Sequence, residues 1–520
     1  MKKILYSSMM MLLLFTSCES YLDVNEDQTN KPFFTDLSPK QMLAGAVNNY
    51  TNHQIITLGN YGNRVAYVWG LNSGFTSTDP AWTYIFDSSS YETNFENSYL
   101  FADNFQDILD KEAQFPEYSY HYGIAKVMKV MSMDYVTALY GDAPYSEAFS
   151  PTITAPKYDD DKTIIPALFL ELDKARAYFE SPSADVIDLG SEDIVFGGNT
   201  AEWLKFINTV ELRLLLRLSK TTDAALVTLR TSRFAVLNAN QNFVTSDVTV
   251  NPGYNTSTLN SRTPVFRAYG QNESFSAATS ANAANAAGDF AARLVNGTLN
   301  DANITTGIVD PRRSRIFTLV GGTVVGNVQG IFPLTAISKI ASFYHGRTGA
   351  NAAIANKNGA ERDAYLMQAA ESHFLQAEAR QRGFLTGSAK AEFDAGVTAS
   401  FNFYSTGFGT IALAALDPVA YLASIDAKNG LGWTGSTNKI SAIMTQKYIA
   451  LAEWNGIELY IDHMRTGFPV LPLPFGVNAT TRPNRLIYPT SEYSSNSANV
   501  PTVTNAELFT VNAKTPYYLQ

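Results

Sequence analysis

The sequence predicts a mainly α-helical protein whose helices pair into hairpins stacked as in tetratricopeptide repeats, with loop-rich stretches and minor β-hairpins between them. Three observations carry this expectation. Apolar residues recur at helical spacing through several segments of about 20 residues, the pattern of helices with one buried face. Alanines line contact faces in places such as Glu371-Ser372-His373-Phe374-Leu375-Gln376-Ala377-Glu378-Ala379, where small side chains let helices approach closely. Runs rich in Gly, Asn, Ser and Thr separate the helical segments. No period of about 34 residues accompanies them, so the hairpins rest on helix pairing and not on an internal repeat.

The N-terminus reads as a targeting segment. Lys2 and Lys3 precede an apolar run from Ile4 to Phe15, broken by Ser7 and Ser8. That run is too short for a permanent span, which needs about 20 apolar residues. Leu14-Phe15-Thr16-Ser17-Cys18 resembles a lipobox, with Phe15 where Leu is preferred; residues 1–17 are then a lipoprotein signal peptide and Cys18 carries the lipid. Cys18 is the only cysteine, so no internal disulfide exists and the thiol fits an anchor. The polar, acidic stretch from Glu19 to Asn30 makes residues 18–35 a flexible tether, and residues 36–520 are expected to form one domain. Cleavage removes Lys2 and Lys3 and no acidic residue, so the net charge moves from −10 to −12. Such a chain is a poor nucleic-acid binder, because phosphate neutralisation needs clustered Lys and Arg. Its 45% apolar and 12% aromatic content suffices for a large core.

Helices are predicted in order. Ser38 caps the first, with Pro39 at its first position. Pro116 to Leu139 carries a stripe from Ile124 to Leu139 and stops at Gly141; Thr163 to Phe179 follows; Thr200 caps a third that buries Trp203, Phe206, Val210 and Leu214. Residues 245–360 are rich in Asn, Ala, Ser, Thr and Gly and read as surface excursions, with strands at Ile316–Val320 and Val324–Gly330 around a Gly321-Gly322 turn. Beyond them, helices are expected over Arg362 to Arg382, Lys390 to Tyr404, Asp417 to Lys428, and Thr437 to Met464 as the longest.

Residues 59–99 hold the main functional lead. Tyr61, Tyr67, Trp69, Phe75, Trp82, Tyr84, Phe86, Tyr91 and Phe95 stand among Gly, Asn, Ser and Thr with no clean period, which suggests helix fragments joined by aromatic loops. Sugar rings pack their C–H faces on Trp and Tyr while Asn, Asp and Arg bond the hydroxyls. Trp69, Trp82 and Tyr84, with Arg64, Asn72 and Asp79, are therefore candidate ligand-binding residues. The same aromatics would serve equally to fill a core between helices.

Four segments resemble the SusD/RagB family in its SusD-like branch. They are Tyr21-Leu22-Asp23-Val24-Asn25 with Asn30 and Pro32; Asp134 to Ala148 around Leu139-Tyr140-Gly141-Asp142; Ala370 to Ala379 with Gln446 to Leu451 and Glu458 to Tyr460; and Arg485-Leu486-Ile487-Tyr488-Pro489-Thr490 to Asn496. Their order spans nearly the whole mature chain. The resemblance implies four tetratricopeptide-like hairpins supporting a variable, loop-rich ligand-binding half. It also implies an outer-membrane, cell-surface lipoprotein serving a SusC-like TonB-dependent transporter, with an oligosaccharide or other oligomeric nutrient as ligand. It fixes no ligand-contacting residue.

Other chemistries find no support. His53, His121, His345, His373 and His463 form no zinc-ligand pattern, and His373, in an apolar helix, reads as packed and hydrogen-bonded. Neither a G-x-S-x-G elbow nor a phosphate loop occurs. Gly430-Leu431-Gly432-Trp433-Thr434-Gly435 matches G-x-G-x-x-G but follows a helix, whereas a dinucleotide site follows a strand. Asp159-Asp160-Asp161 reads as a solvated loop; a run of neighbours cannot supply carboxylates opposed across a glycosidic bond. The expectation is a non-enzymatic capture protein without catalytic residues, cofactor or metal. Its rivals are a surface glycan hydrolase or esterase, and a purely structural surface protein.

Overall fold

The computed structural model describes residues 37–340, 357–406 and 413–520. The signal segment, Cys18, the tether and His345 lie outside the described residues. Helix α1 (Pro39–Asn52) begins as expected, with Ser38 as N-cap and Gln41 Oε1 accepting the Ser38 N–H at 2.9 Å. A π-helical turn leads into α2 (Gly59–Val65), followed by the short strand β1 (Trp69–Leu71), one-turn helix α3 (Pro80–Thr83) and α4 (Thr93–Leu109). Helix α5 (Ser119–Tyr140) stops at Gly141, whose φ of 74° suits glycine. Strands β2 (Ala143–Pro144) and β3 (Tyr158–Asp159) pair antiparallel before α6 (Asp161–Glu180), α7 (Thr200–Arg217) and α8 (Ala224–Ala239). Two more antiparallel pairs join distant segments: β5 (Asn285–Ala287) on β1, and β4 (Val248–Val250) on β6 (Ala364–Met367). Helices α9 (Ala369–Gln381), α10 (Ala389–Ser405), α11 (Pro418–Ile425), α12 (Lys439–Leu451) and α13 (Gly456–Thr466) complete the scaffold.

These helices pack as tetratricopeptide-like hairpins, α5 against α4 and α6, α7 against α8, α9 against α10 and α12 against α13. Apolar contact alone does not hold the stack. Arg217 donates to both carboxylate oxygens of Asp134 at 2.8 and 2.6 Å and to Glu458 at 2.8 Å, all three being buried. Arg213 reaches Glu371 at 3.3 Å, Lys447 reaches Asp462 at 2.7 Å, and Arg465 bonds Asp462 and Glu378 at 2.7 Å each. Ionised side chains of α5, α7, α9, α12 and α13 thus form a dry lattice, in which each charge relies on its neighbours for the solvation that water gives elsewhere.

Several expectations are corrected. The helix drawn over Thr437 to Met464 is two, because α12 ends at Leu451 and Glu453 takes a left-handed φ of 73° before α13. The start of the helix drawn from Arg362 is strand β6, whose Ala364 and Leu366 are buried at the two-residue period of a strand. Asn199, and not Thr200, caps α7, its side chain accepting from Ala201 and Glu202 N–H. Gly321-Gly322 does turn the chain, with the Val320 N–H donating to Thr323 O at 2.8 Å, but no strands flank it; Arg313–Ile316 is a helical turn instead. The 245–340 region is not a set of surface excursions, since Phe266, Phe290, Ile316 and Phe317 join one core that runs from Leu43 to Tyr518. Nor is Asp159-Asp160-Asp161 merely solvated: Asp160 caps α6, and buried Asp161 accepts the Tyr517 N–H at 2.7 Å. His373 is hydrogen-bonded as expected, to Glu392 at 2.7 Å.

Candidate functional site

The segment from α2 to α4 is wound tightly. Five non-glycine residues take left-handed φ among the described residues, and Tyr67, Tyr84 and Tyr91 are three of them. Such backbone costs about 1–3 kcal/mol per residue and concentrates where side-chain placement matters. Here it folds Arg64, Asp79, Trp82 and Tyr91 into one cluster. Arg64 ion-pairs with Asp79, and the Tyr91 hydroxyl donates to the same carboxylate. Asp79 also caps α3, accepting the Ala81 N–H at 2.9 Å. The Arg64 guanidinium stands 5.1 Å from the Trp82 ring centre. Burial alone would depress the Arg64 guanidinium, but Tyr91 and Asp79 carry it above its ordinary value. Burial, with the Asp79 charge beside it, holds the Tyr91 hydroxyl protonated.

Against this cluster lies a cleft of about 290 Å³. One wall is Leu71, Ser77, Trp82, Thr83 and Ile85; the second is Asn327, Gln329, Ile331 and Phe332; the third is Phe475 to Val477. Long-range hydrogen bonds set the walls: Gln329 Nε2 donates to the carbonyls of Arg64 and Trp69 at 2.6 and 2.8 Å, and the Phe475 N–H donates to Gln329 O at 2.8 Å. Gly330 has φ 84°, and a Cβ there would run into the Phe475 backbone. The rim is apolar and open, with Ile85 72% and Phe475 66% exposed. A second depression, of about 540 Å³, shares Thr83 and Ile85 with the cleft and continues past Asp79, Asp87 and Tyr91. The surface thus offers an extended groove with Ile85 as its saddle.

The six candidate residues separate. Trp82 lines the cleft and Asp79 its continuation, with Arg64 joining the two. Trp69 is buried edge-to-face on Tyr269 at 4.9 Å, and Tyr84 is buried in a stack on Phe509 at 5.3 Å. Asn72 ties its loop to the carbonyl of Ala283 at 2.8 Å. Sequence reasoning missed Ile331, Phe332 and Phe475. The available signal was an apolar pair, Ile331-Phe332, between Gly330 and Pro333, and a lone Phe475 between Pro474 and Gly476.

Among the described residues one carboxylate set has metal-ligand spacing, Asp142, Asp160 and Asp161, with oxygens within 4.8 Å of one another. Each already works for the fold: Asp142 accepts the Asp161 N–H, and the other two hold α6 and Tyr517. The G-x-G-x-x-G stretch is the tight loop between α11 and α12. None of the described helices is long and apolar enough to cross a membrane.

The fold and groove define a helical-repeat binding protein with an open, non-ionic cleft. Residues 32–489 match the SusD-like family model, described as "Starch-binding associating with outer membrane", and the chain belongs to that family. No curated protein matches it at the sequence level. Similar solved structures include a chitin-binding SusD homologue from Flavobacterium johnsoniae, 20% identical, with 92% of this chain and 98% of that one covered and a TM-score of 0.66. A SusD homologue from Bacteroides fragilis is 18% identical over 89% and 95%, with a TM-score of 0.68. One from Bacteroides thetaiotaomicron is 22% identical over 89% and 93%, with a TM-score of 0.64.

Proposed function

We propose that this protein is a non-enzymatic surface lipoprotein, anchored through Cys18, that captures an oligosaccharide in the Trp82–Phe475 groove and delivers it to a SusC-like TonB-dependent transporter. The observation that carries the reading is the groove itself, set in a SusD-like chain. Its cleft joins exposed aromatic and aliphatic faces to the partly exposed hydroxyls of Ser77 and Thr83, a combination suited to the C–H faces and hydroxyls of sugars. The chitin-binding relative supports a glycan as the ligand class. Capture without turnover suits a cleft wall that carries no ionisable side chain among the described residues and a continuation whose carboxylates are engaged, Asp79 by Arg64 and the Ala81 N–H and Asp87 by Ser89 and Ser90. Glycoside hydrolysis, in contrast, needs a pair of carboxyl groups facing the scissile bond. Delivery requires release, so affinities near micromolar are expected, about −8 kcal/mol.

Titration calorimetry with chito- and malto-oligosaccharides tests this. Binding without products, weakened at least tenfold by Phe475→Ala or Phe332→Ala in a folded protein, is the expected result. Appearance of shortened glycans would mean a hydrolase. Co-purification of a β-barrel transporter with the affinity-tagged protein from detergent-solubilised outer membranes tests the delivery step.

A further inference from the structure

The Gly430–Gly435 loop supports a surface feature of its own. A Cβ on Gly432 would fall under 3.0 Å from the Ile425 carbonyl, and one on Gly435 equally close to Ala427. These glycines therefore press the loop onto the end of α11. The Gly435 N–H donates to Asp426 O at 2.7 Å, the Gly432 N–H to Lys428 O at 2.9 Å, and Lys439 Nζ caps the Trp433 carbonyl at 2.5 Å. Clamped this way, Trp433 rests on buried Phe393 at 5.4 Å between ring centres and stays half-buried. It walls a pocket of about 270 Å³ whose polar side chains are Lys390, Asp394 and Asp426.

Lys390 and Asp394 form an exposed ion pair at 2.6 Å, a contact weak enough to exchange with a ligand. Lys439 lies 5.7 Å from the ring centre and already holds the cationic position by the indole. Two ammonium groups and two carboxylates leave the site without net charge, so long-range attraction favours neither sign of ligand charge. An indole face beside carboxylate acceptors and an ammonium donor matches instead a neutral ring bearing several hydroxyls.

We propose that this pocket is a second carbohydrate platform, taking one neutral pyranose unit of a polymer with its C–H face on Trp433 and its hydroxyls on Asp394, Asp426 and Lys390. It shares the ligand class of the groove reading but none of its residues. Two sites on one chain bind a polysaccharide with an avidity that neither has alone. Retention of the purified protein on insoluble chitin and on starch granules, beside calorimetry with chitotriose and maltotriose, tests it. Trp433→Ala and Asp394→Asn are each expected to lower retention on the bound polymer at least threefold with helical circular dichroism unchanged. The Asn variant guards against a packing effect of losing the indole. Full retention by folded Trp433→Ala overturns the proposal, as does failure of the wild type to bind either polymer. Loss in Phe475→Ala alone leaves only the groove, and loss in the Trp433 and Asp394 variants alone removes the groove reading and keeps this one.

Discussion

Gly62 of α2 and Gly456 of α13 meet backbone to backbone: a Cβ on Gly62 would come under 3.0 Å from Ile457 N, and one on Gly456 under 3.0 Å from Asn63 N. The crossing is tied further by Asn63, whose Oδ1 accepts the Glu453 N–H at 3.0 Å, and by the edge contact of Tyr61 with Tyr460 at 5.4 Å. It seats the segment that carries Arg64 on the hairpin stack. Gly62→Ala favours helix slightly but has no room, so overpacking decides the sign. A loss of about 1–3 kcal/mol in urea unfolding is expected for Gly62→Ala or Gly456→Ala. Gly45→Ala, where the added Cβ meets open space, should be neutral or mildly stabilising.

Arg217 serves two buried carboxylates at once. Arg217→Met keeps most of the volume but leaves Asp134 and Glu458 short of a counter-charge in a dry interior. Breaking such a lattice from one side costs about 3–5 kcal/mol, visible as a lower urea midpoint. Lys174→Ala, which removes an exposed i,i+3 partner of Glu171, should change stability by no more than about 0.5 kcal/mol. Equal effects from the two variants would show that the lattice contributes nothing special.

What could be read from the sequence follows from the range of the interactions involved. Ser38-Pro39, Asp417-Pro418, Gly141 and Gly383 start or stop helices through bonds within a few residues, and those boundaries stand. The break between α12 and α13 depends on the close approach of Gly62, remote in the chain, so the apolar period ran through it. Strand β6 exists because β4 pairs with it across a long separation. Glu371, Glu378 and Glu458 look like solvated positions until Arg213, Arg465 and Arg217 are placed against them. At the groove, the aromatic composition of 59–99 pointed to a segment that supplies one wall of the cleft, but Trp69 and Tyr84 fill the core. The opposing walls come from loops that carry no period and are positioned by Gln329.

Lys129 makes a pH-dependent contribution. It faces a cavity among α4, α5 and α6, over the Phe149 ring at 3.7 Å and donating to Gln106, with no carboxylate within ion-pairing distance among the described residues. Burial pulls its ammonium down to about 8, against the attraction of Glu171. The unfolded chain therefore binds more protons between about pH 8 and 10.5, and stability attributable to this residue rises with pH across that window. Lys129→Met should equal or exceed the wild type at pH 7, by about 1–2 kcal/mol after discounting for partial exposure. The gap should narrow as pH approaches 10. A difference between the two proteins that stays constant from pH 7 to 10 would falsify this assignment.

Gly330 controls the width of the groove. Its left-handed φ and the nearness of the Phe475 backbone leave no place for a side chain. Gly330→Ala must push the 472–477 loop away from Gln329 or strain the turn, and the hydrogen bond from Phe475 N–H to Gln329 O is the first to break. Glycan affinity at the groove is expected to fall at least tenfold, read by calorimetry, while the melting temperature moves by only a few degrees. Unchanged affinity would place the ligand elsewhere on the surface.

In the proposed reading, anchoring rests on one atom, the sulfur of Cys18. Each methylene of an attached acyl chain contributes about 0.8 kcal/mol to membrane binding, and two or more chains hold a protein firmly. None of the described helices is long and apolar enough to cross a membrane. Cys18→Ser should move the protein from the outer-membrane fraction to the soluble one with its melting temperature unchanged, because the substitution removes only the proposed acylation site. Protease added to intact cells should digest the native form. Retention of Cys18→Ser in membranes stripped of transporter would refute the anchor, and protection of the native form in intact cells would place it on the inner face of the outer membrane, where it could not meet extracellular glycan.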